Sequence, residues 1–262
     1  MQSPRVFADW LHPRPTPSGI DVSCGLRHFA IITWAVPAER FAGLWPDRFE
    51  LDTVVVNGAR CGLISAVPFE DVDFTAACFP FPRFTMGQTN YRVYIIDRQT
   101  GERAVWFLGT TLDSWTLLVP RYVWQLPWHP GRIRFEYDED PHSGLYRRYY
   151  MHTRSSWAAA EVELFQDGHE PFDFSGFPDT ETALVYLTHP LAGFYYRRDG
   201  IAGTYRVWHD RLQVRPAQLR KARFELLERL GLVSREEQQT PWSVLLEPLN
   251  HFTIYLPPQR LD

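Results

Sequence analysis

Short runs of strand-forming residues, separated by turn residues, succeed one another through most of the chain, and this rhythm constrains the fold more than any other feature. Leu51 to Val56 and Arg60 to Val67 flank Asn57-Gly58, the pair a type I′ hairpin turn prefers because both positions need positive φ. Further strand-like segments follow at Gln88 to Ile96, Ala104 to Leu112, Ile133 to Tyr137, Leu145 to Thr153 and Ala160 to Phe165. A second hairpin is expected around Asp199-Gly200, between Phe194-Tyr195-Tyr196 and Thr204 to Trp208. Upstream, Arg27 to Val36 is an apolar stretch closed by Pro37, with a first helical turn at Pro37-Ala38-Glu39. Helices are expected at Ser114 to Val123 (interrupted by Pro120), Thr180 to Leu187 and Pro216 to Leu230, the last with apolar residues near helical spacing and Gly231 as its stop.

Many strands and few helices predict a mainly β, β-rich α+β fold: a mostly antiparallel closed barrel whose openings are covered by short helices. Helices do not alternate with strands, which argues against a doubly wound sheet, and no glycine-rich phosphate-binding motif occurs. Aromatic residues make up 15% of the 262, enough for a sizeable core on pleated surfaces. The reading is an N-terminal extension over 1–26, proline-rich from Leu11 to Pro17, followed by a single domain over 27–262.

A formal net charge of -4 lacks the basic footprint of a nucleic-acid binder. No window approaches the roughly 20 apolar residues of a membrane span. The first residues carry Asp9, His12 and Arg14 where a signal peptide needs an apolar stretch, so a cytoplasmic protein is expected. Cys24, Cys61 and Cys78 are odd in number and widely spaced, which favours free thiols. Of the 27 basic residues 26 are arginine, and Lys221 is the single lysine. Arginine stays charged and is no amine nucleophile.

Two strands carry polar residues in alternation. Gln88, Asn90, Arg92 and Tyr94 share one face of the first, and Arg148, Tyr150, His152 and Arg154 one face of the second. Spacing alone favours half-buried strands with those faces in water. The functional alternative turns them into a barrel interior, where arginine forks would bind a carboxylate. His209 and His129 are candidate acid–base groups, although a solvated or structurally bonded histidine is the commoner situation. A metal site from His129, His152 and His209 has no supporting ligand spacing, and no cofactor motif is present. Nucleophile elbows are absent.

The order of motifs resembles the YqjF-like family of uncharacterised bacterial proteins, in the acetoacetate decarboxylase-like superfamily. The resemblance runs from about Arg27 to Tyr255. It is carried by Trp34-Ala35-Val36-Pro37, Trp45-Pro46 and Phe49-Glu50-Leu51-Asp52-Thr53. Gln88-Thr89-Asn90-Tyr91-Arg92-Val93-Tyr94 is similar to the family's Glu-x-Asn-x-Arg-x-Tyr strand. Arg121 with Leu126-Pro127-Trp128, Val207-Trp208-His209-Asp210 and Arg215-Pro216-Ala217 complete the set.

The resemblance implies a conical, mostly antiparallel barrel with a central cavity, and it allows a homo-oligomer. In the decarboxylases a cavity lysine forms a Schiff base. Their Pro-Lys-Lys segment falls where this chain has Pro127-Trp128-His129, and the family glutamate reads as Gln88. Schiff-base decarboxylation is therefore excluded, since that chemistry needs an uncharged amine. Lys221, in an expected amphipathic helix beside Arg220 and Arg223, is no substitute.

Two functions stay open. One is binding of a small anionic or carbonyl-bearing molecule. The other is a lysine-independent lyase, isomerase or cyclase that stabilises an enolate. In both, Gln88, Asn90, Arg92, Arg121, Trp128, Tyr150, His152 and Arg154 are the expected ligand contacts, with His209 and His129 as the proton-transfer candidates.

Overall fold

A computed structural model describes residues 14–261. Its first strand, β1 (Val22–Pro37), shows why Arg27 to Val36 is apolar without a break. Ala30, Ile32, Trp34 and Val36 enter one core cluster, while Phe29 and Ile31 enter another on the opposite face. A strand covered on both faces has no reason to alternate with polar residues. β1 begins at Val22, so the sheet takes up the end of the 1–26 segment read as an extension. Residues 1–13, including the first three residues of the proline-rich opening, lie outside the described residues.

After a 3-10 turn at Ala38–Phe41 come β2 (Phe49–Leu51), β3 (Thr53–Val56), β4 (Ala59–Ala76), β5 (Phe79–Asp97) and β6 (Arg103–Leu112). Asn57 and Gly58 take φ of 51° and 80°, and Val56 pairs with Ala59 across them, as the hairpin signal predicts. A 3-10 turn (Trp115–Leu117) and α1 (Leu118–Tyr122) replace the single expected helix, and β7 (Trp128–Pro130) follows. Then come β8 (Arg132–Glu139), β9 (Tyr146–Arg154), β10 (Ala160–Phe165) and α2 (Thr180–Thr188), the last capped by Asp179 accepting from the Thr182 N–H at 2.7 Å. The chain continues through β11 (Ala192–Tyr196), β12 (Ala202–His209), β13 (Arg215–Pro216), β14 (Gln218–Phe224), α3 (Glu225–Arg229) and β15 (Ser243–Arg260).

The helix expected over Pro216 to Leu230 is a correction. Its first half is β14, an edge strand paired antiparallel with β10, and only Glu225–Arg229 is helical. Backbone pairing with β10 overrides a helical apolar spacing that coincidence supplied. β15, unmarked in the sequence because Pro248, Asn250, Pro257 and Pro258 interrupt it, is a central strand between β1 and β12.

In the large sheet β5, β4, β1, β15, β12, β11 and β6 are neighbours in that order, and β6 pairs back onto β5. The sheet thus closes into a ring, mostly antiparallel, with parallel contacts at β6–β11 and β6–β7. A second sheet, ordered β14-β10-β9-β8, packs on the outside of the ring. Tyr149, Met151, Val162 and Phe224 of this sheet meet Ile32, Trp34, Tyr91 and Val93 of the ring in one core. α2 packs Ala183, Tyr186 and Leu187 against Leu63 and Tyr94 in the inner core.

Candidate functional site

The ring encloses a cavity of about 480 Å³, lined from all seven of its strands. This lies within the roughly 300–1,000 Å³ usual for small-molecule sites. Most of the wall is apolar: Leu26, Phe29, Val67, Phe69, Phe107 and Phe252 are representative. Trp115, Val119, Trp124 and Trp128, from the segment around α1 and β7, form a further part of it.

Gln88, Asn90 and Arg92 all line this cavity. The alternation of β5 is therefore as expected, but spacing alone put that face in bulk water and the ring turns it inward. The opposite face, Tyr91 and Val93, packs against the second sheet. Gln88 donates to the Asn90 side-chain oxygen at 2.9 Å, and Thr110 donates to the same oxygen at 2.7 Å.

Arg92 donates from Nη2 to the Leu187 carbonyl at 2.9 Å. Leu187 lies in the last turn of α2, whose terminal carbonyls lack intrahelical partners, so part of the Arg92 role is to cap that helix. The rest of the guanidinium is less committed. Its buried Nε has no hydrogen-bond partner, and among the described residues no carboxylate forms an ion pair with it. The remaining donors of this guanidinium keep the planar fork geometry that suits a carboxylate.

His209 also lines the cavity. Its Nδ1 donates to the Asp210 carbonyl at 2.7 Å, the Thr188 main chain also engages the ring, and the ring stacks on Phe252. Burial lowers its pKa to about 4, so it is neutral at physiological pH. Trp128 lines the cavity.

The remaining expected contacts lie elsewhere. Arg121 donates to the Trp128 carbonyl behind the wall, and His129 stacks on Trp157 with ring centroids 3.9 Å apart. Neither lines the cavity. Burial, with Arg121 adding to it, lowers the His129 pKa to about 4. Tyr150, His152 and Arg154 are a correction. They sit on β9 in the second sheet, on the face opposite Tyr149, Met151 and Thr153, which are buried. Tyr150 donates to Glu161 there, and Arg148 pairs with Glu136. This sheet has one face packed and one in water, so its polar alternation points outward. Lys221 lies on β14, half-exposed and paired with Glu161 at 2.7 Å, and it contributes nothing to the cavity wall. Among the described residues no group of three His, Cys, Asp or Glu side chains has the placement to hold a metal ion, and no helix is long and apolar enough to cross a membrane.

One cavity residue escaped the sequence reading. Asp71 on β4 is 2% exposed, lines the wall, and leaves Oδ2 without a hydrogen bond. Burial pushes its pKa up to about 8, with the neighbouring Cys24 thiol opposing and Glu70 adding. One of three acidic residues in Phe69-Glu70-Asp71-Val72-Asp73, it carries no sequence signal that it turns inward.

The comparisons with known proteins agree with this architecture. The model of DUF2071, described as an uncharacterized conserved protein, matches residues 24–249. The chain belongs to the DUF2071 family. Among solved structures, acetoacetate decarboxylase from Legionella pneumophila superposes with a TM-score of 0.58 at 13% identity, over 100% of this chain and 98% of that one. An acetoacetate decarboxylase-like enzyme from Sphingomonas wittichii RW1 gives 0.59 at 11% identity, over 97% of each. The enduracididine biosynthesis enzyme MppR, complexed with the condensation product of pyruvate and imidazole 4-carboxaldehyde, gives 0.53 at 11% identity, over 95% of this chain and 91% of that one. No curated protein matches the chain. The DUF2071 chain thus has the acetoacetate decarboxylase-like fold, as its motifs imply, without a lysine in its cavity wall.

Proposed function

We propose that this DUF2071 protein binds a small anionic or carbonyl-bearing organic molecule inside the ring, with Arg92 as the anchor for its negative charge. The observation that carries the reading is the unneutralised guanidinium of Arg92 in an otherwise apolar wall. A partly buried cation without a counter-charge is unfavourably desolvated, and an incoming carboxylate would relieve that cost. Gln88, Asn90 and Trp128 stand beside it as polar and aromatic contacts. MppR, of the same fold, holds a pyruvate condensation product, which fits a cavity of this type accommodating carbonyl compounds. Binding is preferred over turnover because the ring nitrogens of His209 are held by main chain and no amine lines the wall.

The test is a thermal-shift screen of small carboxylates, keto acids and aromatic acids on wild type and Arg92→Ala. A ligand at a hundredfold excess over its Kd stabilises the folded state by about 2.7 kcal/mol. A shift present in wild type and lost in Arg92→Ala supports the reading. Shifts that persist unchanged in the variant, or a screen with none, overturn it.

A further inference from the structure

Arg92 does not account for Asp71. The two residues face the same cavity from different places. In the β4–β5 register Ser65 lies opposite Arg92 and Met86 lies opposite Asp71, six residues further along. That is roughly 20 Å of strand, shortened by the reach of the two side chains. The Tyr205 phenol, also in the wall, is raised by burial, with Asp71 adding and Arg92 opposing. Tyr205 and the two polar points share one cavity whose wall is otherwise mostly apolar.

The surroundings of Asp71 decide what it can offer. Its cross-strand partners are Leu26 on β1 and Met86 on β5. The titratable groups acting on it are the Cys24 thiol on β1 and Glu70 on its own strand, and neither supplies a positive charge. Among the described residues no cation pairs with it, while Arg27 goes to Glu70. A carboxyl so placed keeps its proton at neutral pH and becomes a hydrogen-bond donor, and Oδ2 has no protein partner to donate to.

We propose that Asp71 is a second ligand-binding subsite, donating a hydrogen bond to an uncharged carbonyl, and that the ligand is a medium-chain monocarboxylic acid bearing a ketone remote from its carboxylate. The chain would lie along the apolar wall past Tyr205, with the carboxylate at Arg92 and the ketone at Asp71. A dicarboxylate of the same length would be rejected, because Asp71 offers no positive charge to its second anion. The inference rests on the proposed function, through the carboxylate at Arg92.

Isothermal titration with three probes of one length tests it: decanoate, its analogue with a ketone one carbon from the far end, and decanedioate. Wild type at pH 6.5 should bind the keto acid about tenfold more tightly than decanoate, the worth of one buried hydrogen bond. Decanedioate should bind at least tenfold more weakly than decanoate. The keto preference should fade in wild type as pH passes about 8, persist there in Asp71→Asn, whose amide still donates, and vanish in Asp71→Leu. An infrared band for a protonated carboxyl at pH 6.5, missing in Asp71→Asn, should accompany this. If decanoate binds in an Arg92-dependent way but the keto acid gains nothing, the Asp71 subsite is wrong and the anion site stands. If no probe binds, the proposed keto-acid ligand is wrong, and the thermal-shift screen decides whether the anion site at Arg92 stands. Absence of the protonated-carboxyl band overturns the donor role irrespective of the ligands.

Discussion

The Nη2 of Arg92 and the carbonyl of Leu187 meet at 2.9 Å, so the cation of the cavity is also the group that finishes α2. Tyr94 donates to the same carbonyl at 3.1 Å and in turn contacts Ser65 on β4. Helix, cavity and ring wall therefore share one hydrogen-bonded node.

Because of this node, Arg92→Ala should lower stability even without ligand. Loss of a charged hydrogen bond to a helix end is worth about 1–2 kcal/mol, partly offset because Tyr94 still reaches the Leu187 carbonyl. Urea unfolding of ligand-free protein measures this, and ligand shifts in the variant must be read against its own baseline. An unchanged midpoint would mean that the Leu187 contact carries no weight.

Stability should rise and then fall with pH, and Asp71 should own the fall. His28, His129 and His209 are held by burial at about 4, so between pH 4 and 6.5 the unfolded chain binds more protons and stability increases with pH. Asp71, raised to about 8, does the reverse: the folded state holds the extra proton above the ordinary carboxylate range, and stability is lost as pH climbs to 8. From pH 6.5 to 8 the last of the histidine gain, from unfolded imidazoles still half-protonated at 6.5, offsets part of the fall, and the loss due to Asp71 itself should amount to roughly 1–2 kcal/mol. Across this range unfolding midpoints should fall in wild type relative to Asp71→Asn, which keeps only the small histidine rise. Equal slopes in both proteins would remove Asp71 as the cause.

The sequence makes the ring strands legible but not which way they face. β5 and β9 carry the same polar–aromatic alternation around a central arginine, yet Arg92 points into a cavity and Arg148 into an ion-pair network with Glu136 and Glu163. The difference is whether the strand belongs to a closed ring or to an open sheet, a property of pairing partners remote in sequence. The same cause hid β14, whose partner β10 lies far upstream, and Asp71, which looks like any acidic residue in a charged stretch. Local signals fared better. Asn57-Gly58 and the Thr180 helix depend on neighbours in the chain, and both form where expected.

Joining the two sheets rests on Phe224, fully buried between Trp34 and Tyr91 of the ring. Its main-chain N–H donates to the buried Gln238 side chain at 2.6 Å, and Gln238 returns a hydrogen bond to the Phe224 carbonyl. Phe224→Ala should cost about 3–5 kcal/mol through the cavity it leaves. Gln238→Ala should cost about 1–3 kcal/mol through unsatisfied main-chain groups. Chemical denaturation separates the two, and a cost below 1 kcal/mol for Phe224→Ala would show that the second sheet holds on without it.

Lys221 is the only side-chain amine in the chain, and it lies on the outer sheet, paired with Glu161. A half-exposed pair of this kind is worth at most about 1 kcal/mol, so Lys221→Met should leave folding nearly unchanged. It should also leave carboxylate binding at Arg92 untouched. Borohydride added in the presence of a keto acid traps a Schiff base wherever one forms. Mass spectrometry of the trapped protein should find no adduct at Lys221 above that formed by a free amino acid at the same concentration. Lys221 lies outside the cavity wall, so no enclosed site directs a carbonyl toward it. An adduct formed in stoichiometric yield, and lost in Lys221→Met, would move the chemistry of this protein from the ring cavity to the face of the second sheet.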